Sequence, residues 1–193
     1  HVAHPQIRNR GTIGGTLAHA DPAAELPTVA VALGGRLHVV GGRGERTVPA
    51  RDFFRGLFAT ALAPDEIVTA VELPCAAPRT GYAFLEVARR HGDYAQVGVA
   101  ASLELAPDGT CAAARLVYLS VGDTPMEATG AAGLLIGERP SDELFHAAAE
   151  RAATAEIDPA SDIHASAAFK RHLAGVLTHR CLARALDAAR GAS

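Results

Sequence analysis

Residues 6 to 28 hold the densest set of groups that could do chemistry. Arg8 and Arg10 bring positive charge. Gly11, Gly14 and Gly15 lack a Cβ, so the backbone there can take positive φ and approach a ligand closely. Thr12 and Thr16 add hydroxyls that donate or accept hydrogen bonds. Asp21 followed by Pro22 reads as an N-cap ahead of a first-turn proline. Backbone N–H groups exposed in a glycine turn beside a helix start attract an anion such as phosphate. The segment is not a P-loop, because no Gly-Lys-Ser/Thr follows, and its glycine spacing is not that of GxGxxG. Taken alone, such a glycine pair is more often an ordinary connection.

The elements around this segment follow from periodicity. Residues 22 to 33 read as a helix with Pro27 near its first turn, ended by Gly34 and Gly35. Leu26, Val29, Ala30 and Leu33 share a face that should pack on a sheet. Two strands, 36 to 40 and 45 to 48, flank Gly41-Gly42-Arg43-Gly44 as a hairpin. In the short piece 51 to 58, Phe53, Phe54 and Phe58 are expected core anchors; contact with a cofactor ring is the alternative. Residues 67 to 73 form a strand ended by Pro74. Two prolines within 74 to 80 place a boundary between a domain at 1–75 and one at 76–193.

In the second part, 82 to 88, 95 to 105 and 112 to 121 read as strands of a three-stranded antiparallel meander, because their connections are short. Pro107-Asp108-Gly109 marks the second turn. A helix should start at Thr124-Pro125 and run to about Ile136, and another should be capped by Ser141. A closing helix over 166 to 189 carries Phe169, Leu173, Val176, Leu177, Leu182 and Leu186 as its apolar stripe. The fold class is therefore α+β. A subdomain of mixed sheet and helices precedes an antiparallel sheet packed on a helical bundle.

Composition narrows the function. The chain has 193 residues, a net charge of −3 and no Trp. With both signs of charge interspersed, nothing supports nucleic-acid binding. The longest uncharged apolar runs are about half of what spans a bilayer, and no stretch reads as a secretory signal. The chain begins with His1 rather than Met, immediately ahead of a motif, which reads as a processed or excised product. Cys75, Cys111 and Cys181 form no CxxC pair, so any iron–sulfur cluster must sit on another chain. Scattered thiols fit a reducing cytoplasm. His164, His172 and His179 are spaced too widely for the usual i, i+4 metal pair, so no metal site is expected there.

The stretch Ile-Arg-Asn-Arg-Gly-Thr-Ile-Gly-Gly-Thr-Leu-Ala-His-Ala-Asp-Pro-Ala-Ala-Glu-Leu-Pro resembles the second flavin-binding motif of the FAD-binding medium subunits of molybdenum hydroxylases, the carbon monoxide dehydrogenase and xanthine dehydrogenase type. Later matches, in order, are Asp52-Phe53-Phe54, Pro64-Asp65-Glu66-Ile67-Val68, Glu72-Leu73-Pro74 and Arg89-Arg90-His91-Gly92-Asp93-Tyr94-Ala95. The resemblance implies FAD contacts from Thr12, Ile13, Gly14, Gly15 and Thr16 through backbone N–H groups. It adds His19, Asp21 and Glu25, the last two also readable as a cap and a first-turn glutamate. Val68 falls near a backbone contact to the flavin ring. Leu85 stands about where xanthine dehydrogenases place a cofactor-binding lysine, a departure that removes a charge. Asp93 and Tyr94 match the loop beside the isoalloxazine. The relatives' first flavin motif, Ala-Gly-Gly followed by a small polar residue and Leu, is not found ahead of residue 11, so the resemblance covers the second half-site and the C-terminal domain.

What the resemblance implies is an oxidoreductase subunit without a catalytic side chain. FAD would pass electrons from [2Fe–2S] clusters on a small partner subunit to an external acceptor. Molybdopterin would sit on a large partner subunit. The alternative is a flavin-free docking or scaffold fragment of the same complex.

Overall fold

The computed structural model describes residues 1–191; the last two residues of the second expected domain lie outside them. A short helix α1 (Pro5–Arg8) leads into α2 (Ile13–His19) and α3 (Glu25–Ala32). Strands β1 (Arg36–Gly41) and β2 (Gly44–Pro49) form the hairpin, and β5 (Ile67–Glu72) pairs on the other edge of β1. Both interfaces of this β2-β1-β5 sheet are antiparallel. Between β2 and β5 lie the single turn α4 (Ala50–Phe53) and the small pair β3 (Phe54–Gly56) and β4 (Ala59–Thr60). Next come β6 (Thr80–Ala88), β7 (Ala95–Leu105) and β8 (Cys111–Leu119), joined by a two-residue edge strand β9 (Met126–Glu127) in the order β6-β7-β8-β9. Helices α5 (Thr129–Gly133), α6 (Asp142–Arg151), a π-helical turn (Ala152–Glu156) and α7 (Ala167–Gly191) complete the chain.

The large sheet is covered on both faces. Strand side chains alternate between faces, and β7 follows this rule. Val97, Val99, Ala101 and Leu103 enter a core shared with α7. Ala100, with Val117 of β8, enters a second core built from Leu17, Val31, Leu37, Val39, Phe53 and Phe54. Helix α3 therefore lies between the two sheets. Its Ala30, Val31 and Ala32 are buried, and Arg115 of β8 donates to the Val31 carbonyl at 3.1 Å. The Ser120 N–H donates to the Pro22 carbonyl at 2.9 Å, tying the α2–α3 turn to the end of β8.

Helix α7 buries Ala174, Leu177, Thr178, Cys181, Leu182, Ala185, Leu186 and Ala189, a 3.6-residue repeat made largely of small side chains. Small residues allow close approach. A Cβ added at Gly81 of β6 would lie 1.9 Å from the Ala185 carbonyl oxygen. Inside this core the Tyr118 hydroxyl lies 2.6 Å from Thr178 Oγ1, which donates to the Ala174 carbonyl at 2.7 Å.

Several expectations change. The glycine segment is not a positive-φ turn: Gly14 and Gly15 lie in the first turn of α2, and none of Gly11, Gly14 and Gly15 has positive φ. The next helix starts at Glu25 rather than residue 22, which still leaves Pro27 in its first turn. Of the expected face, Ala30 is buried and Leu26 packs against the same core, but burial extends to Pro27, Thr28, Val31 and Ala32 because α3 is gripped from two directions. Phe53 and Phe54 are core residues, whereas Phe58 (φ 52°) is 53% exposed. Phe169 is also exposed, at the start of α7 where the sheet no longer covers the helix. The expected helix from Thr124 is instead the edge strand β9 followed by the short α5. The Ser141 cap is present, its hydroxyl accepting from the Leu144 N–H at 3.2 Å.

Candidate functional site

The site is built on the start of α2. Thr12 is its N-cap, in extended conformation, and its hydroxyl accepts the Gly15 N–H at 2.9 Å. The Thr16 N–H goes to the Thr12 carbonyl at 3.1 Å. The N–H groups of Ile13 and Gly14 are the first-turn donors that a helix leaves without an internal acceptor. Here Ile13 is exposed and Gly14 is half-buried against Val68. Space is short at Gly15 and ordinary at Gly14. A Cβ at Gly15 would lie 2.8 Å from Thr12 Oγ1 and break the cap; at Gly14 it would touch the Val68 carbonyl at 3.5 Å. Helix α2 therefore rests on β5 at Val68.

Beside this turn runs a groove of about 280 Å³ lined by Val2, Ala3, Ile7, Ile13 and Leu26 with Thr12 and Thr16. It contains no carboxylate. Arg8 also lines it, but its guanidinium is engaged, donating to the Val2 and Ala3 carbonyls at 2.7 and 2.6 Å.

The other expected residues divide by place. His19, in the last turn of α2, lies with its ring centroid 5.0 Å from that of Phe58. Asp21 accepts the Ala23 N–H at 2.9 Å, so it closes the turn before α3 rather than capping the helix. Glu25 opens α3. Asp93 and Tyr94 line a cleft of about 570 Å³ opposite Pro22, Ala23 and Leu57. Tyr94 is 72% exposed, and Asp93 pairs with Arg89 at 3.6 Å. Tertiary structure thus brings Thr12–Thr16 to Val68 and the Asp21 turn to Asp93 and Tyr94. Leu85 is not brought there: it packs in the α7 core on the opposite face of β6.

Its neighbour Glu86 takes the face that Leu85 leaves. The His1 ring nitrogen lies 3.1 Å from Oε1, while Oε2 is buried without a partner. Burial, and then the charge of Glu25, hold the Glu86 carboxyl above the ordinary carboxylate range. No sequence motif marks Glu86; only strand alternation against Phe84 could have indicated its side. His164 lines the Tyr94 cleft, whereas His172 and His179 line a groove between α6 and α7, so these three histidines share no site.

Two segments of the chain match known protein families. Residues 1–76 match the family described as the FAD binding domain in molybdopterin dehydrogenase, and residues 82–185 match the CO dehydrogenase flavoprotein C-terminal domain. The 6-hydroxypseudooxynicotine dehydrogenase complex subunit alpha of Paenarthrobacter nicotinovorans is 41% identical over 98% of this chain and 64% of that protein. The carbon monoxide dehydrogenase medium chain of Afipia carboxidovorans is 37% identical over 95% of this chain and 63% of its own length. Among solved structures, carbon monoxide dehydrogenase from Hydrogenophaga pseudoflava superposes with a TM-score of 0.92 at 35% identity, covering 96% of this chain and 64% of that one. Quinoline 2-oxidoreductase from Pseudomonas putida 86 gives 0.90 at 40% identity, covering 100% and 65%. The chain spans a little under two thirds of the length of these relatives. Two family matches in series, together with this likeness of fold, show that the chain belongs to the FAD-binding medium-subunit family of molybdenum hydroxylases.

Proposed function

We propose that this chain is the flavin-handling part of an electron-transfer subunit in a molybdenum hydroxylase complex. The observation that carries the reading is the start of α2, with two first-turn N–H donors behind a threonine cap and Gly14 seated on β5. The donor set fits FAD. A diphosphate needs N–H donors and no nearby carboxylate, and the α2 groove provides both beside an apolar wall. At about 280 Å³ the groove is smaller than the usual range for a complete ligand site, so it forms one side of the pocket.

In this reading Ile13 and Gly14 donate to the pyrophosphate, Thr12 and Gly15 fix the turn, and Thr16 adds a hydroxyl. Val68 supplies backbone beside the ring. His19, Asp21 and Glu25 border the cofactor, and Asp93 and Tyr94 guard its approach from the neighbouring cleft. Leu85 takes no part. Bound FAD would supply the capacity to take electrons from iron–sulfur centres and deliver them to an external acceptor. The protein's own task is to bind, orient and shield. Residues 1–75 form the flavin-binding unit and residues 76–193 a packing and subunit-contact unit. An iron–sulfur small subunit and a molybdopterin large subunit are the partners, in the cytoplasm. No helix of the described residues is long and apolar enough to cross a membrane.

The test is a titration of the purified chain with FAD, read by flavin absorbance and fluorescence, for wild type and Gly15→Ala. We expect the variant to bind about 10-fold more weakly, the effect of losing roughly 1.4 kcal/mol of contact, with an unchanged far-ultraviolet circular dichroism spectrum. Equal affinity in both proteins overturns the assignment of the α2 turn. The small volume of the groove favours a second reading, a flavin-free docking module; absence of FAD uptake by the wild type would select it.

A further inference from the structure

We propose that Asp142, His146 and His179 form a binding site for a single divalent cation of borderline softness, zinc above all, bridging α6 and α7. Asp142 and His146 are one helical turn apart, so both project from the same face of α6. His179 meets them from α7. Its Nε2 lies 2.7 Å from Asp142 Oδ1, and His146 Nε2 lies 3.5 Å from Asp142 Oδ2. The two imidazole rings stack with centroids 4.1 Å apart and planes at 23°. One ligand atom from each residue lies within 4.8 Å of the others.

Zinc bonds of about 2.0–2.2 Å in a tetrahedron put neighbouring ligand atoms about 3.3 Å apart. The observed separations, 2.7 Å from His179 to Oδ1 and 3.5 Å from His146 to Oδ2, lie within an ångström of that spacing but on different carboxylate oxygens, so the carboxylate must turn to offer one of them. Two imidazoles and one carboxylate are a ligand set suited to zinc and its neighbours in the transition series. Magnesium and calcium are disfavoured, because they need near-complete oxygen coordination and only one carboxylate is present. Asp142 and His146 side chains are 71% and 67% exposed, which leaves room for water at the fourth position. His179 already hydrogen-bonds the carboxylate and His146 stacks beside that ring, so side-chain rotation of His146 and Asp142 suffices to bring three donors to one ion.

The test is calorimetric titration of the full chain with zinc, alongside the visible spectrum of the cobalt(II) form. Wild type should bind one ion per chain, with the absorption of tetrahedral cobalt. Removing a ligand should exceed the 10–100-fold loss typical for its outer partners. We therefore expect His146→Ala and Asp142→Asn each to weaken binding about 100-fold or more, while His164→Ala, on an exposed residue of another cleft, leaves it unchanged. His146 is itself mostly exposed, so its replacement should leave the fold intact, as circular dichroism will report. Binding that survives both His146→Ala and Asp142→Asn, or no binding in wild type, overturns the site and leaves a carboxylate hydrogen-bonded to His179 with His146 stacked alongside.

Discussion

Replacing Gly81 by alanine tests the described glycine with the least room for a side chain. The new methyl group would sit 1.9 Å from the Ala185 carbonyl oxygen, 2.4 Å from the Ala189 nitrogen and 2.9 Å from the Ala185 carbonyl carbon. All three are backbone atoms of α7, so no side chain can rotate away. A comfortable carbon–oxygen contact is about 3.4 Å, which requires α7 or β6 to move by roughly 1.5 Å. From Ala174 to Ala189 helix α7 is held by the buried faces of β6 and β7, so such a shift opens space elsewhere in the core. Overpacking ordinarily costs about 1–3 kcal/mol. With rigid backbone on both sides we place Gly81→Ala at the top of that range, about 3 kcal/mol. For a chain of this size that is a fall of roughly 6–12 °C in Tm. Urea denaturation followed by circular dichroism measures it as a lower midpoint at constant m-value. Gly133→Ala in α5, where nothing lies within 4 Å of the added atom, is the control and should be neutral or slightly stabilising. A loss below about 1 kcal/mol in Gly81→Ala would refute the view that β6 and α7 are fixed at this distance.

Three further outcomes follow from buried groups. Tyr118→Phe leaves Thr178 Oγ1 without the phenol that donates to it inside the core, and should cost about 1–2 kcal/mol by denaturant titration. Asp162→Asn removes the partner 2.7 Å from the buried Lys170 ammonium; because Asp162 itself is 46% exposed, the expected loss is a discounted 1–2 kcal/mol or so. Lys170 and the His164 and Ala165 N–H groups pull the Asp162 carboxyl down to about 2. A depressed folded value stabilises above the ordinary carboxylate range, so the gap between wild type and variant should close as pH falls from about 4 towards 2 in parallel unfolding curves. Burial pushes the Cys111 thiol up to about 11 and the Cys181 thiol up to about 12, whereas Cys75 is exposed. A thiol reagent at pH 8 should therefore label one cysteine per native chain rapidly and all three only in denaturant.

How much of this was legible differs from element to element. The three long strands show in the sequence because Val97, Val99, Ala101 and Leu103 alternate with smaller or polar residues, and two-fold alternation survives whatever packs on the sheet. Helix α7 shows by its length and in part by its face, since Leu177, Leu182 and Leu186 of the expected stripe are buried while Phe169 is exposed. Reading Phe169 as core favoured large side chains, while the close seat at Gly81 selected Ala174, Cys181, Ala185 and Ala189. Helix α2 was hidden because glycine disfavours helices on intrinsic grounds; here the Thr12 cap and the contact with Val68 outweigh that cost. Asp142 and His146 did carry a readable i, i+4 signal, but their partner His179 lies 33 residues further on from His146, beyond any local pattern.

The sequence by itself determined the groups that act as neighbours along the chain. These are the run Thr12–Thr16, the Ser141 cap, the β1–β2 hairpin and the ordered motifs that mark the family. Their spacing is covalent, so it needs no fold to exist. Only the tertiary structure decided which distant groups meet: Val68 under Gly14, Tyr94 across from Pro22, His179 against His146, and Glu86 rather than Leu85 towards Glu25. Those choices depend on the phase of each strand and the rotation of each helix. Both are fixed by the burial of whole faces against one another, a collective term that no short stretch of sequence contains.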